Sequence, residues 1–199
     1  MASERLGLLG GTFDPPHLGH LHLAYSAIAH LGLDRVVFIP ARRQPLKAGA
    51  EITEPRHRVA MTRLLAGADP LLSVDPIETE REGLSFSVDT VRAYRAAHPA
   101  AALTFLMGED TAATLPHWRE PAALADLARL VVLTRGIARD GAGPLPLGVH
   151  VERVATRRID ISATEVRARV RVGLPLRGFV TDEIAAYIVA NGLYRTTNE

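Results

Sequence analysis

Two histidines three residues apart, His17 and His20, stand directly behind the run Gly10-Gly11-Thr12-Phe13-Asp14-Pro15-Pro16. The chemistry such a set can do is anion binding. Glycines let backbone approach a ligand without a Cβ in the way, and the first N–H groups of a helix lack intrahelical partners and point at negative charge. Two imidazoles at this spacing share one face of the first helical turn. Pro15 and Pro16 fix φ and remove two donors, which stiffens the loop. The stretch lacks the G-x-G-x-x-G of a dinucleotide fingerprint and the Gly-Lys-Ser/Thr ending of a P-loop. His-x-x-His alone would allow zinc, but the chain has no cysteine and no third ligand at a familiar spacing. The plain alternative, a helix that happens to begin with surface histidines, is disfavoured by the Gly-Gly pair and the proline turn ahead of it.

A second set lies far along the chain, in Ile159-Asp160-Ile161-Ser162-Ala163-Thr164-Glu165-Val166-Arg167. Ser162 with Glu165 three residues on is a capping-box pattern and predicts a helix start. Thr164 and Arg167 exceed what a cap requires: hydroxyls at a helix N-terminus with a guanidinium one turn along make a second anion site. Lys47 is the only lysine, in a long loop over 41–53 that also carries Arg42 and Arg43. An ammonium kept in a chain that otherwise uses arginine suits a place needing a compact, rotatable charge, with chance as the alternative. Arg42 and Arg43 read equally well as a solvated loop face. Gly108-Glu109-Asp110 follows the apolar run Leu103 to Met107, where α/β sheets bind ligands, so Asp110 either accepts ribose hydroxyls or caps a short helix. Trp118, the only tryptophan, is a stacking surface or, the better reading, a core residue.

The elements that position these groups alternate. Leu6 to Leu9 reads as a strand, a helix begins near His17 and ends near Gly32, and Arg35 to Pro40 (RVVFIP) is a second buried strand. That order implies a right-handed parallel crossover. Further along, the patterning predicts a helix over Pro55 to Ala66, a strand over Leu71 to Val74, a helix capped by Ser85 or Ser87, and the strand Leu103 to Met107. A helix over Ala122 to Leu127 and strands over Leu130 to Thr134 and Val149 to Val154 follow, with an irregular Gly/Pro linker over Gly136 to Leu147 between those strands. The last helix starts at Thr181 and stops at Asn191-Gly192. With 199 residues and 47% hydrophobic content the chain can bury one good core, as a single α/β domain over 1–199 whose helical part from about 160 carries the second anion site. A formal net charge of +1 advertises neither nucleic acid nor an anionic membrane as a partner. Absent cysteines, with no signal peptide and no spanning apolar run, predict a soluble cytoplasmic protein.

Gly10 to His20, with its His-x-Gly-His ending, together with Ile161-Ser162-Ala163-Thr164-Glu165-Val166-Arg167, resembles the nucleotidyltransferase superfamily of HxGH and ISSTxxR enzymes. Within it the chain is most similar to bacterial nicotinate-nucleotide adenylyltransferases, through Pro45-Leu46-Lys47, Ser85-Phe86-Ser87, Gly108-Glu109-Asp110 with Trp118, and Gly192-Leu193-Tyr194-Arg195. The resemblance implies a Rossmann-like single domain with a central parallel sheet flanked by helices. It implies AMP transfer from ATP to nicotinate mononucleotide, yielding deamido-NAD and pyrophosphate, with Mg2+ bound with ATP. Carried over by position, it implies catalytic roles for His17, His20, Lys47 and Arg167. Gly10, Gly11, Thr12, Phe13, Gly108, Asp110, Ser162 and Thr164 join the two histidines and Arg167 around ATP, and Asp14, Lys47, Ser87 and Trp118 meet the mononucleotide. No protein-held metal is implied, and the oligomeric state is open. The chain departs from the family pattern at Leu46, Phe86, Ser87, Arg119 and Ala163, the last removing one hydroxyl from the second motif. Nicotinamide-mononucleotide and phosphopantetheine adenylyltransferases, the cytidylyltransferases and an ATP-binding sensor module are the alternatives.

Overall fold

In a computed structural model, residues 3–45, 52–135 and 149–195 are described. Lys47 with Leu46, and the linker expected over Gly136 to Leu147, lie outside them. The strands are β1 (Arg5–Gly11), β2 (Arg35–Pro40), β3 (Leu72–Val74), β4 (Ala102–Gly108), β5 (Arg129–Arg135) and β6 (Val151–Thr156). They pair in parallel throughout, in the order β3-β2-β1-β4-β5-β6. Helices are α1 (Leu18–Leu31), α2 (Pro55–Ala66), α3 (Ile77–Glu80), α4 (Ser87–Ala97), α5 (Glu109–Ala112), α6 (Pro121–Leu127), α7 (Ala163–Arg171) and α8 (Asp182–Ala190). Strand order reverses between β1 and β4: the chain runs outward through β2 and β3, returns to the middle, then runs outward again. In such sheets the carboxyl ends of the two central strands flank a ready-made crevice.

The sheet is buried on both faces, which is why its strands read as continuous apolar runs. Alternate residues of β1 separate the layers. Leu6 and Leu8 face Val88, Val91 and Tyr94 of α4 and Leu124 of α6, while Leu9 faces Ala24 and Ala27 of α1, Met61 and Leu65 of α2, Val166 of α7 and Ile184 of α8. The expected Rossmann-like layout is therefore the one observed, and β2 and α2 match their expected spans residue for residue.

Several local expectations need correction. Neither Ser85 nor Ser87 caps α4: Phe86 occupies the cap position without a side-chain bond, and Ser87 is the first helical residue. Ser85 is held elsewhere, its N–H donating to Arg43 O (2.9 Å) and its hydroxyl accepting from Arg42 N–H (2.9 Å). Asp110 does not cap α5 either, since Gly108 sits at that position and Asp110 lies in the first turn. β3 begins at Leu72, leaving Leu71 exposed, and β6 is displaced two residues towards the C-terminus of its expected start. The short α3 has no counterpart among the expectations; it follows Asp75, whose Oδ1 accepts the N–H of Ile77 (2.9 Å). At α7 the Ser162 half of the capping box is formed, the hydroxyl accepting Glu165 N–H at 3.1 Å.

Candidate functional site

A cleft of about 670 Å³ opens at the carboxyl ends of β1 and β4. Gly10, Gly11, Thr12, Phe13, Asp14, His17, His20, Ser87, Gly108, Asp110, Trp118, Ser162, Thr164 and Arg167 all line it. Every residue of both anion sites expected from the sequence thus meets in one cavity, with Lys47 alone outside the described residues. The two distant segments also touch directly, because Nη1 of Arg167 donates to the backbone oxygen of Asp14 at 2.7 Å.

The turn between β1 and α1 is built by close packing. Phe13 adopts a left-handed φ of 51° and folds its ring over Gly11, where a Cβ would come within 2.8 Å of the ring. Only glycine fits under it. The same ring meets Phe38 edge-on at 5.7 Å and His20 edge-on at 4.9 Å, so Phe13 is the floor on which the second imidazole rests. Asp14–Pro15 is a cis peptide bond. His17 caps α1 from an extended conformation, and its N–H donates to Nδ1 of His20 at 3.2 Å. This bond assigns the tautomer: with Nδ1 accepting, the neutral His20 ring carries its proton on Nε2 and is a donor there. The rings of His17 and His20 lie 3.8 Å apart.

The helix end itself is a narrower anion site than its sequence suggests. Leu18 N–H donates to Phe179 O (2.9 Å) and His20 N–H to His17 O (2.9 Å), so two of the first amides are already used. No acidic residue stands in the first turn of α1 to offset its positive end. Opposite, the hydroxyl oxygens of Ser162 and Thr164 accept from Glu165 N–H and from Nη2 of Arg167 (3.2 Å), which leaves each O–H to donate outward. The hydroxyl of Thr12 is buried and, among the described residues, has no hydrogen-bond partner. A buried hydroxyl in that state at a cleft wall suits a ligand oxygen.

At the far end, Trp118 stands edge-on to Phe105 (5.8 Å) and donates Nε1–H to Thr114 Oγ1 (2.9 Å). It packs against the core, as the better reading of its sequence position had it, and it also lines the cleft. Arg119 lies 4.9 Å from the centre of the Phe86 ring. The Asp14 carboxylate is anchored: Oδ1 accepts from Tyr194 O–H (2.7 Å) and Oδ2 from Thr53 N–H (3.2 Å), so it braces the loop. Burial, then Asp14, hold the Tyr194 phenol well above its ordinary range.

Two cleft features escaped the sequence reading. Arg157 lines the wall just ahead of the second motif, and the adjacent basic pair Arg157-Arg158 was the available signal. Glu78 lines it as a buried carboxyl, accepting from Thr90 O–H at 2.6 Å. Burial raises its pKa, offset in part by Thr90, Ser85 and Arg81. An acid whose folded pKa is raised stabilises the fold below its unfolded pKa, and that contribution is lost as pH climbs through the folded value. Glu78→Gln, which keeps the acceptor for Thr90, should therefore match the wild-type Tm near pH 4 and exceed it at pH 8. A Tm difference that stays flat between those pH values would refute the assignment.

Gly19, the glycine between the histidines, has a steric reason. A Cβ there would lie 2.9 Å from Nδ1 and 3.0 Å from Cε1 of His17. Gly19→Ala favours helix by roughly 0.5–1 kcal/mol, which offsets part of the crowding. If His17 has the catalytic role that the resemblance implies, displacing its ring by a fraction of an ångström should lower kcat by about 10- to 100-fold, with Tm little changed. Turnover within twofold of wild type would show that the imidazole position does not matter.

Among the described residues no group of three or more His, Cys, Asp or Glu could hold a metal ion, and no helix is long and apolar enough to cross a membrane. Residues 8–169 match the family described as cytidylyltransferase-like. The chain is 50% identical over 197 residues to a protein of Gemmatimonas aurantiaca named "Probable nicotinate-nucleotide adenylyltransferase", covering 96% of this chain and 92% of that one. A Roseiflexus castenholzii protein of the same name is 41% identical over 98% of this chain and its own full length. Among solved structures, the chain resembles Plasmodium falciparum nicotinic acid mononucleotide adenylyltransferase complexed with NaAD, with a TM-score of 0.77 at 17% identity over 96% of this chain and 97% of that one.

Proposed function

Because the chain belongs to the cytidylyltransferase-like nucleotidyltransferases and, within them, to the nicotinate-nucleotide adenylyltransferases, we propose that it transfers AMP from ATP to nicotinate mononucleotide. The mononucleotide phosphate attacks the α-phosphorus of ATP. One P–O bond forms to the acceptor oxygen as the bond to the β-phosphate oxygen breaks, giving nicotinate adenine dinucleotide (deamido-NAD) and pyrophosphate. The observation that carries this reading is the meeting of His17, His20 and Arg167 on one cleft at the β1/β4 reversal.

The attacking phosphate is already an anion, so the protein's part is positioning and charge stabilisation rather than proton abstraction. His20, protonated on Nε2, and His17 act as donors to the α-phosphate and the departing pyrophosphate. Thr12, Ser162 and Thr164 give hydroxyl bonds to the triphosphate, Arg167 neutralises its growing charge, and Lys47 reaches the phosphates from its loop. Gly10, Gly11 and Phe13 form the wall behind the nucleotide. Gly108 and Asp110 hold the adenosine, Ser87 and Trp118 meet the pyridine end, and Asp14 holds the loop between the two substrates. Magnesium enters as part of the ATP complex. Held through the triphosphate rather than by protein side chains, it would offset negative charge on the phosphates. The cytoplasm is the proposed location.

Pyrophosphate release tests the reading, with magnesium-ATP offered together with nicotinate mononucleotide, nicotinamide mononucleotide or phosphopantetheine. The largest kcat/KM is expected with the nicotinate acceptor. A preference for either of the others reassigns the substrate, and no release with any acceptor makes the chain a nucleotide-binding module.

A further inference from the structure

The turn over residues 12–14, directly after the strand end Gly11, has no helix or strand of its own, yet the polar groups of this stretch are held from outside. Gly11 O accepts from Ala41 N–H (2.8 Å), Asp14 O from Arg167, and the Asp14 carboxylate from Thr53 N–H and Tyr194 O–H. Thr12 O accepts from Nη1 of Arg58 at 2.7 Å. Arg58 lies on α2, is 0% exposed, and takes part in none of the ion pairs among the described residues. Its guanidinium instead spends itself on neutral carbonyls: Nη1 also donates to Ala41 O (2.7 Å), Nε to Thr53 O (2.8 Å) and Nη2 to Arg42 O (3.1 Å).

This is a costly way to fill space. A buried charge stabilises a fold no better, and often worse, than an apolar side chain of similar volume. Met61 and Leu65, further along the same helix, show what packing alone selects there. Burial pulls the guanidinium below its ordinary value, and the nearby Asp14 charge offsets part of that. What the charge provides is geometry: one rigid planar fork fixes the spacing of three separate backbone segments. Two of them, at Ala41 and Thr53, in turn hold Gly11 and Asp14 on either side of Thr12.

We propose that Arg58 is a positioning residue for adenylyl transfer, setting the place of the Thr12 to Asp14 turn through Thr12 O, Ala41 O and Thr53 O without touching either substrate. It rests on the function proposed above and adds to it a residue outside the cleft lining. A lysine cannot replace the fork, because a single ammonium cannot reach four carbonyls spread around a plane.

The test compares Arg58→Lys, Thr12→Ala and the double variant with wild type, by steady-state kinetics and amide hydrogen exchange. Arg58→Lys is expected to lower kcat by about 10- to 100-fold with KM for both substrates moving less. The amide of Thr53 should exchange at least about tenfold faster while β1 and β4 stay protected. In the Thr12→Ala background the same change should cost kcat less than in wild type, since the group being positioned is gone. If Arg58→Lys does not fold at the assay temperature, Arg58→Gln at lower temperature gives the same readouts. Wild-type kcat in a variant with faster local exchange, protection lost uniformly, or fully multiplicative effects with Thr12→Ala would each overturn the proposal. If wild type releases no pyrophosphate with any acceptor, the functional reading and the catalytic half of this one fall together, and exchange at Thr53 still decides the anchoring half.

Discussion

His20→Ala is expected to lower kcat by about 10²- to 10³-fold while KM for ATP and for the acceptor moves far less, as measured by pyrophosphate release. The expectation follows from the tautomer. Nδ1 of His20 is occupied by His17 N–H, so Nε2–H is the donor the ring can offer to a phosphate oxygen. A donor fixed in place before charge develops contributes most in the transition state, which places the loss in kcat. The fixing is visible in the Phe13 ring beneath His20 and in the His17 ring 3.8 Å away. His17→Ala should behave alike. His20→Asn offers a cap acceptor to His17 N–H without the imidazole donor, and should share the loss of His20→Ala if the donor is what matters. Recovery of turnover in His20→Asn would instead assign the residue to capping α1.

Arg167→Ala should cost about 10³-fold in kcat/KM, and Arg167→Lys about 10²-fold, because the lysine restores the charge and not the fork. Arg167 has two anchors, Asp14 O on the β1–α1 turn and Thr164 Oγ1 on its own helix, and together they hold the guanidinium plane. An ammonium can satisfy one of them or face the phosphates, but not keep that plane. Kinetics with both variants separate the contributions. If Arg167→Lys comes within about threefold of wild type, charge alone suffices and the bidentate geometry is irrelevant.

The strands and the two anion motifs were legible in the sequence for a simple reason: their signals are local. Val36 to Pro40 is apolar on both faces because the strand is buried on both, and Ser162 to Arg167 packs its chemistry into two helical turns. Arg58 was not legible, since within PRHRVAMTRLLA it reads as one more polar position, and its partners are backbone oxygens up to 46 residues away. Backbone acceptors leave no trace in side-chain pattern. The braces of Asp14 were not legible either: Thr53 has no motif of its own, and Tyr194, within the Gly192-Leu193-Tyr194-Arg195 match, gives no sign in sequence of a partner 180 residues away. The cap expected at Ser85 failed because the pairing of Ser85 with Arg42 and Arg43 is a tertiary contact that outweighs a local preference.

The hydrogen bond from Tyr194 to Asp14 spans 180 residues, and that from Arg167 spans 153. During synthesis the strand leading into the turn emerges more than 150 residues ahead of these two groups that hold it. A nascent chain arrested before residue 167 can therefore pair β1 with β2 and β4 while the Thr12 to Asp14 turn still lacks two of its anchors. The shape of the turn is thus completed by distant segments and is not a property of the stretch that contains it.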